Sequence, residues 1–247
     1  MNYKDALQAW NQAERKAAEL EAELLKLSEE YRVKALSRFH EKQNGNDPGD
    51  RSELDEISER EKAANEAYTR AKIESGIYRD NARAALLAEL KPAALEILKK
   101  YSGKAYGEKT REKISKEAAE KTGYYMTVSH DYYCSEISFY GNNYRDPWRH
   151  NDQIKLNFYD GNNSENKPIL EENKIRLDSF DALHDPRQSE IVEDPAQRAA
   201  EIIDAYRAAQ EAANAWKAAR DKYNHLIPAT VCKRIEYNDD APRYLLN

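Results

Sequence analysis

The chain is poor in the residues that build disulfide frameworks, flexible linkers and membrane spans. Its 247 residues include two cysteines, eight glycines and eight prolines. Cys134 and Cys232 are too few for a disulfide framework in a chain of this length, which favours a reducing compartment. No apolar run approaches the roughly 18 residues that a membrane span needs, and the opening MNYKDALQAW has no apolar signal core. We therefore expect a cytoplasmic protein that does not bind membranes.

The chain also lacks an excess of positive charge. Its net charge is -6, and residues 160–194 account for all of it, because they hold ten acidic residues against four basic ones. The remaining charges balance. A general nucleic-acid binder concentrates lysine and arginine on one face. We therefore expect no direct binding of nucleic acid, and one acidic segment on an otherwise neutral protein.

What the chain does contain is long helical periodicity. Apolar residues recur at alternating steps of three and four from residue 3 to residue 31, which is the pattern of a coiled-coil helix. Residues 195–225 repeat the rhythm, so we expect this later helix to pack along the first one. The predicted stripes are Tyr3, Ala6, Trp10, Ala13, Ala17, Leu20, Leu24, Leu27 and Tyr31, and then Ile202, Tyr206, Ala209, Ala213, Trp216, Arg220 and Tyr223.

Turn and cap residues place the ends of the helices. The stretch QNGNDPGD at 43–50 predicts a break, and a second helix then begins near Ser52. Pro92 is expected to kink or restart that helix, which is predicted to end at Gly103. A short helix is closed by Gly123. Asp194 as N-cap and Pro195 at the first helical position open the last helix.

Between the helices the apolar period changes from about 3.6 to 2. Alternating residues over 124–129, 133–139 and 154–158 predict short antiparallel strands, and residues 175–177 and 230–237 are further candidates. Tyrosines are abundant here because aromatic residues favour strands and pair across them.

The predicted fold is therefore α+β: a long, antiparallel, coiled-coil-like helical bundle with a small inserted antiparallel β-sheet. We divide the chain into a helical region at 1–122, a small sheet with acidic loops at 123–193, and a long returning helix with a final strand at 194–247.

Two groups of residues are candidates for enzyme chemistry. His130, Cys134 and His150 could form a metal site or a cysteine nucleophile, but their spacing fits no short zinc pattern and no third orienting group follows. Residues 160–171 place oxygen-bearing side chains at calcium-loop positions, yet the glycine that such a loop needs is replaced by Glu165. We expect no metal, no cofactor and no catalytic residue.

The loop at 141–152 and the acidic segment are the predicted binding site for a protein partner. Tryptophan, tyrosine and arginine are the residue types that dominate interface hot spots, and they lie here in a polar loop. Carboxylates of the following segment would attract a basic surface. The predicted binding residues are Tyr144, Trp148, Arg149, Glu171, Glu172, Asp178, Asp181 and Asp185.

In overall texture, with charged helices around a small sheet, the chain resembles small proteins of bacterial prophages and other mobile elements, among them anti-CRISPR inhibitors. The resemblance extends over the whole chain and has no residue-level motif. It implies a protein that acts by binding, with a CRISPR or other defence nuclease as the partner.

We therefore expect a non-enzymatic inhibitor that binds a basic, nucleic-acid-handling protein. Two alternatives stay open. The first is a coiled-coil structural or assembly protein that forms homo-oligomers, such as a homodimer, through its seams. The second is a metal or cysteine hydrolase that uses His130, Cys134 and His150.

Overall fold

The computed structural model describes residues 2–130, 134–141, 154–159, 170–171, 174–175 and 191–226. The helices in this part of the chain are α1 (Tyr3–Gln43), α2 (Ser52–Lys100), α3 (Glu108–Thr122) and α4 (Pro195–Leu226). The strands are β1 (Tyr124–His130), β2 (Cys134–Gly141), β3 (Ile154–Tyr159), β4 (Leu170–Glu171) and β5 (Lys174–Ile175). The fold is thus mostly helical with a small antiparallel sheet, which confirms the α+β class; the coiled-coil bundle stays a prediction.

Three predicted helix ends are confirmed, two of them by their cap geometry. α2 begins at Ser52, after the predicted break. Gly123 closes α3 in the left-handed conformation (φ 78°), and its N–H donates to the carbonyl of Ala119 at 2.9 Å. The Asp194 carboxylate accepts a hydrogen bond from the N–H of Gln197 at 2.9 Å, and α4 begins at Pro195.

Two predictions for α2, a restart at Pro92 and an end at Gly103, are wrong; a kink at Pro92 stays a prediction. The helix does not restart at Pro92 but runs through it, and it ends at Lys100 rather than at Gly103. Pro92 is exposed while its neighbours Ala94 and Leu90 are buried. We infer that packing of the apolar side chains on either side holds the helix together across the proline. Gly103 lies beyond the helix, with a positive φ of 75°.

Polar contacts show that α1 and α2 run antiparallel. As residue numbers rise along α1, the numbers of their partners on α2 fall, which is the order that an antiparallel helix pair requires. The α1 stripe predicted over 3–31 is buried or half-buried along its whole length, as expected of a packed face. The contacts are Glu14–Ser75, Lys16–Glu74, Glu21–Tyr68, Ser28–Glu61 and Lys34–Glu53.

The chain divides into two compact units, each assembled from two segments. Unit 1 contains residues 1–14 and 75–193, and unit 2 contains residues 15–74 and 194–247. The sequence ranges 1–122, 123–193 and 194–247 stay a prediction. The final strand predicted at 230–237 lies outside the described residues.

Unit 1 holds the main hydrophobic core of the described chain. The second half of α2 supplies buried residues from Ala82 to Leu98, and α3 adds Ile114 and Ala118. The sheet contributes side chains from one face of β1 and β2: Met126, Val128, Ile137 and Phe139.

The three-stranded sheet of unit 1 has the order β1-β2-β3, with both pairs antiparallel. Met126 lies opposite Phe139 and Val128 opposite Ile137, so the buried side chains are cross-strand neighbours. This register confirms the alternation predicted from the sequence. A second pair, β4 and β5, joins Leu170 to Ile175, and Ile175 is buried in the same core.

Candidate functional site

Most residues predicted to bind a partner lie outside the described part of the chain. Of that set, the structure places the backbone of Glu171, which belongs to β4 and lies opposite Lys174 of β5. The predictions for Tyr144, Trp148, Arg149, Glu172, Asp178, Asp181 and Asp185 fall on residues that the structure does not describe, and they stay predictions.

The candidate enzyme residues are partly placed. His130 ends β1 and Cys134 begins β2, so their backbones lie at the same end of the hairpin, where His130 is opposite Ser135. His150 lies outside the described residues, as does most of the calcium-loop candidate at 160–171. Among the side chains that the structure describes, no group of three or more His, Cys, Asp or Glu is arranged to hold a metal ion.

An apolar groove in unit 2 is the clearest candidate site among the described residues. It has a volume of about 910 Å³ and lies between α2 and α4, with α1 at one end. On α2 it is lined by Ala63, Ala67 and Ala71, which recur every four residues and therefore share one face of the helix. Because these side chains are small, they leave room for side chains of a partner.

The α4 wall of the groove exposes two large apolar side chains. Ile202 is 43% exposed and Tyr206 is 63% exposed. Both were predicted to lie in the packed stripe of α4, and for these two residues that prediction is wrong. The later stripe members Ala209, Ala213 and Trp216 are half-buried. The stripe therefore packs in its later part and leaves its first large residues on the groove.

Charged residues line the rim of the groove. Lys16 lies 3.5 Å from Glu74, and Arg207 lies 3.2 Å from Glu66. The second pair joins α4 to α2. These two pairs compensate their own charges, and Arg70 adds a further positive charge to the lining. The apolar floor and wall offer a ligand its main contact surface.

A cluster of ionisable residues in unit 1 is the alternative candidate site. Lys100 donates to Glu117 at 2.8 Å, and the Tyr101 hydroxyl donates to the same carboxylate oxygen at 3.2 Å. The hydrogen bond from Lys100 lowers the pKa of Glu117, and the same bond raises the pKa of Lys100. Both groups therefore stay charged near neutral pH, which suits an ion pair and not a proton-transfer catalyst.

Comparison with protein-family models, with curated proteins and with solved structures finds no match. Within the described residues, no helix combines the length and apolar character that crossing a membrane requires. Function is therefore inferred from the geometry of the chain itself.

Sequence reasoning missed the groove because periodicity locates an apolar face but not what covers it. Ile202 and Tyr206 carried a signal, since they are the large residues of an otherwise alanine-rich stripe. The alanines at 63, 67 and 71 gave a second one. The sequence does not show that these two groups of residues line the same groove, which only the structure reveals.

Proposed function

We propose that the chain is a non-enzymatic protein-binding protein that holds an amphipathic helix of its partner in the groove of unit 2. The observation that carries the proposal is the exposure of Ile202 and Tyr206 on the wall of an apolar groove. Helix-in-groove recognition uses such a surface, with apolar anchors of the partner spaced by three and four residues.

The exposed apolar side chains of the groove supply the binding energy. Covering a fully exposed isoleucine contributes about 1.5–3 kcal/mol, and Ile202 would gain part of that on binding. Tyr206 offers a large, rigid side chain with a hydroxyl at its tip, a type enriched in interface hot spots. The alanines of α2 allow the partner helix to approach closely. The rim pairs then favour a partner whose apolar stripe is flanked by polar residues.

The identity of the partner is a narrower proposal. The acidic excess at 160–194 supports a partner with a basic surface, because opposite charges speed encounter. The resemblance to mobile-element proteins supports a cytoplasmic inhibitor of a nucleic-acid-handling protein, such as a CRISPR or other defence nuclease. In this proposal Trp148 and its loop would make a second contact.

A quantitative pull-down from a bacterial lysate, read by mass spectrometry, tests the groove. The immobilised variants are Tyr206→Asp and, as the matched control, Ala205→Asp, which adds the same charge at an exposed neighbouring position outside the groove lining. We expect a protein that the wild type and Ala205→Asp retain and that Tyr206→Asp loses. Equal retention by both variants would contradict the groove as the binding site.

A third variant in the same experiment tests the narrower proposal. Changing Glu171, Glu172 and Asp178 together to lysine should weaken capture most at low salt, because long-range attraction is screened as salt rises. If this variant captures the partner normally at every salt concentration, the acidic segment is not the contact, while the groove proposal stands or falls with Tyr206→Asp.

A further inference from the structure

α1 carries a second apolar stripe that is not covered. Leu25 is 65% exposed and Phe39 is 56% exposed, and Val33 and Leu36 are exposed as well. All four lie in the half of α1 that belongs to unit 2. Four large apolar side chains exposed on one stretch of helix make this face a candidate contact surface, because clustered apolar exposure often marks an interaction site.

The exposed stripe has coiled-coil spacing. The residues Ala22, Leu25, Glu29, Arg32, Leu36 and Phe39 follow one another at alternating steps of three and four, and every one of them is exposed. This set, which we call the outer seam, lies on a different face from the buried stripe that contains Ala17 and Leu27. α1 therefore has two seams, one facing α2 and one facing outward.

An ion pair occupies the middle of the outer seam. The Arg32 guanidinium makes two hydrogen bonds to the Glu29 carboxylate, at 2.8 Å and 2.7 Å. The hydrogen bond from Arg32 lowers the pKa of Glu29, so the carboxylate is charged at neutral pH. Charges at core positions of a coiled coil select which helix pairs with which, and in which orientation.

The outer seam is complementary to itself when read backwards. In an antiparallel pair centred between Glu29 and Arg32, Ala22 of one copy meets Phe39 of the other, and Leu25 meets Leu36. Glu29 meets Arg32, so a small side chain faces a large one, leucine faces leucine, and acid faces base. A parallel pair would instead place Glu29 against Glu29 and Arg32 against Arg32.

We propose that the outer seam binds the outer seam of a second copy of this chain, forming a two-fold symmetric, antiparallel homodimer. The same patch serves both copies, which is the arrangement that a closed dimer requires. The seam is about 18 residues long, or roughly 27 Å of helix, so it buries less than a long coiled coil does. The association is accordingly weak and depends on concentration.

The dimer goes beyond the proposed function and uses a different surface. None of the six outer-seam residues lines the groove between α2 and α4. The two proposals can therefore fail separately, because outer-seam variants leave the groove unchanged and Tyr206→Asp leaves the outer seam unchanged.

Sedimentation equilibrium tests the dimer with two charge reversals. The wild type should move from the 28.5 kDa of one chain toward twice that mass as its concentration rises. Glu29→Arg places arginine against arginine across the proposed interface, and Arg32→Glu places glutamate against glutamate. Each variant alone should dissociate at least tenfold more readily than the wild type.

Restored association then identifies the pairing. The Glu29→Arg chain carries arginine at both central positions of the outer seam, and the Arg32→Glu chain carries glutamate at both. In a mixture of the two, every central arginine therefore faces a glutamate of the other chain. The mixture and the double variant E29R/R32E should both recover dimer. Circular dichroism spectra and melting temperatures close to those of the wild type at low concentration exclude misfolding as the cause of any loss.

Two results would overturn the proposal. One is a wild type that stays at the mass of a single chain at all concentrations. The other is a dimer that Glu29→Arg and Arg32→Glu each leave intact, because only an antiparallel outer seam makes both residues face opposite charges. Leu25→Glu provides an independent check, since it introduces an acid opposite Leu36 and should also abolish the dimer.

Discussion

The hydroxyl of Tyr106 accepts a hydrogen bond from the backbone N–H of Val128, at 2.8 Å, inside the core of unit 1. β1 is an outer strand of the three-stranded sheet, since its described partner is β2 alone. The tyrosine hydroxyl thus satisfies a backbone donor that the sheet leaves unpaired. Burial raises the pKa of Tyr106, so the hydroxyl stays protonated.

Tyr106→Phe removes that acceptor while keeping the ring. We expect the free energy of unfolding to fall by about 1–3 kcal/mol, because a buried N–H loses its partner. Urea denaturation measures the loss. Tyr125→Phe is the matched control, because Tyr125 is exposed on β1, the strand that contains Val128. It should change the free energy of unfolding by less than about 0.5 kcal/mol. Equal effects at the two positions would contradict the assignment.

Asn81 holds the segment before α4 through two hydrogen bonds within unit 1. Its amide nitrogen donates to the carbonyl of Val192, and its amide oxygen accepts from the N–H of Val192, both at 2.9 Å. Asn81→Ala should lower the free energy of unfolding by about 1–3 kcal/mol, because the carbonyl and N–H of Val192 lose their hydrogen bonds to the Asn81 side chain. Hydrogen exchange should accelerate at Val192. Asn65→Ala, at an exposed position of the same helix, should leave both measurements unchanged.

Replacing leucine with alanine should have a large effect on stability on one face of α1 and a small effect on the other. Leu27 is 6% exposed on the inner stripe, so Leu27→Ala should destabilise the chain by about 2–4 kcal/mol through lost burial and a cavity. Leu25→Ala, on the outer seam, should cost less than about 0.5 kcal/mol at concentrations where the chain is monomeric. Thermal unfolding of both variants at low concentration checks the prediction. A larger loss for Leu25→Ala would show that the outer seam is covered within the chain.

The Lys100–Glu117 pair predicts a dependence of stability on pH. The pKa of Glu117 in the folded chain is lowered below the usual 4.5, mainly because Lys100 donates a hydrogen bond to its carboxylate. The stabilisation of the fold by ionised Glu117 is therefore fully present above about pH 4.5 and is lost as the pH falls through the lowered pKa. Glu117→Gln should reduce the melting temperature near neutral pH, and the difference from the wild type should shrink as the pH falls below 4.5 and the carboxylate becomes protonated. A difference that does not depend on pH would contradict the assignment.

Local signals in the sequence were sufficient for most elements of the fold. Asp194 and Pro195 located the start of α4, Gly123 located the end of α3, and alternating residues located the hairpin of β1 and β2. These signals act through neighbouring backbone groups, so they do not depend on tertiary contacts. Pro92 is the exception, because α2 continues through it instead of restarting there, and we infer that packing on both sides of the proline outweighs its tendency to end the helix.

The candidate surfaces could not be predicted, because a sequence pattern does not show which apolar side chains are covered by another element. Leu24 and Leu25 are adjacent in the sequence, yet one faces α2 and the other faces outward. An apolar stripe predicts a packed face. Ile202 and Tyr206 belong to such a stripe, yet both side chains are exposed. The outer seam was not predicted because the inner stripe already accounted for the helix, and a second stripe becomes evident only when its exposure is known.

We propose above that the chain binds a protein partner in the groove of unit 2. The most direct measurement is photo-crosslinking in a bacterial lysate from a light-activated amino acid placed at position 206 and, separately, at position 205. We expect one recurring partner protein crosslinked from position 206, with contact peptides that form an amphipathic helix, and none from position 205. Adducts formed equally from both positions, or from neither, would contradict it.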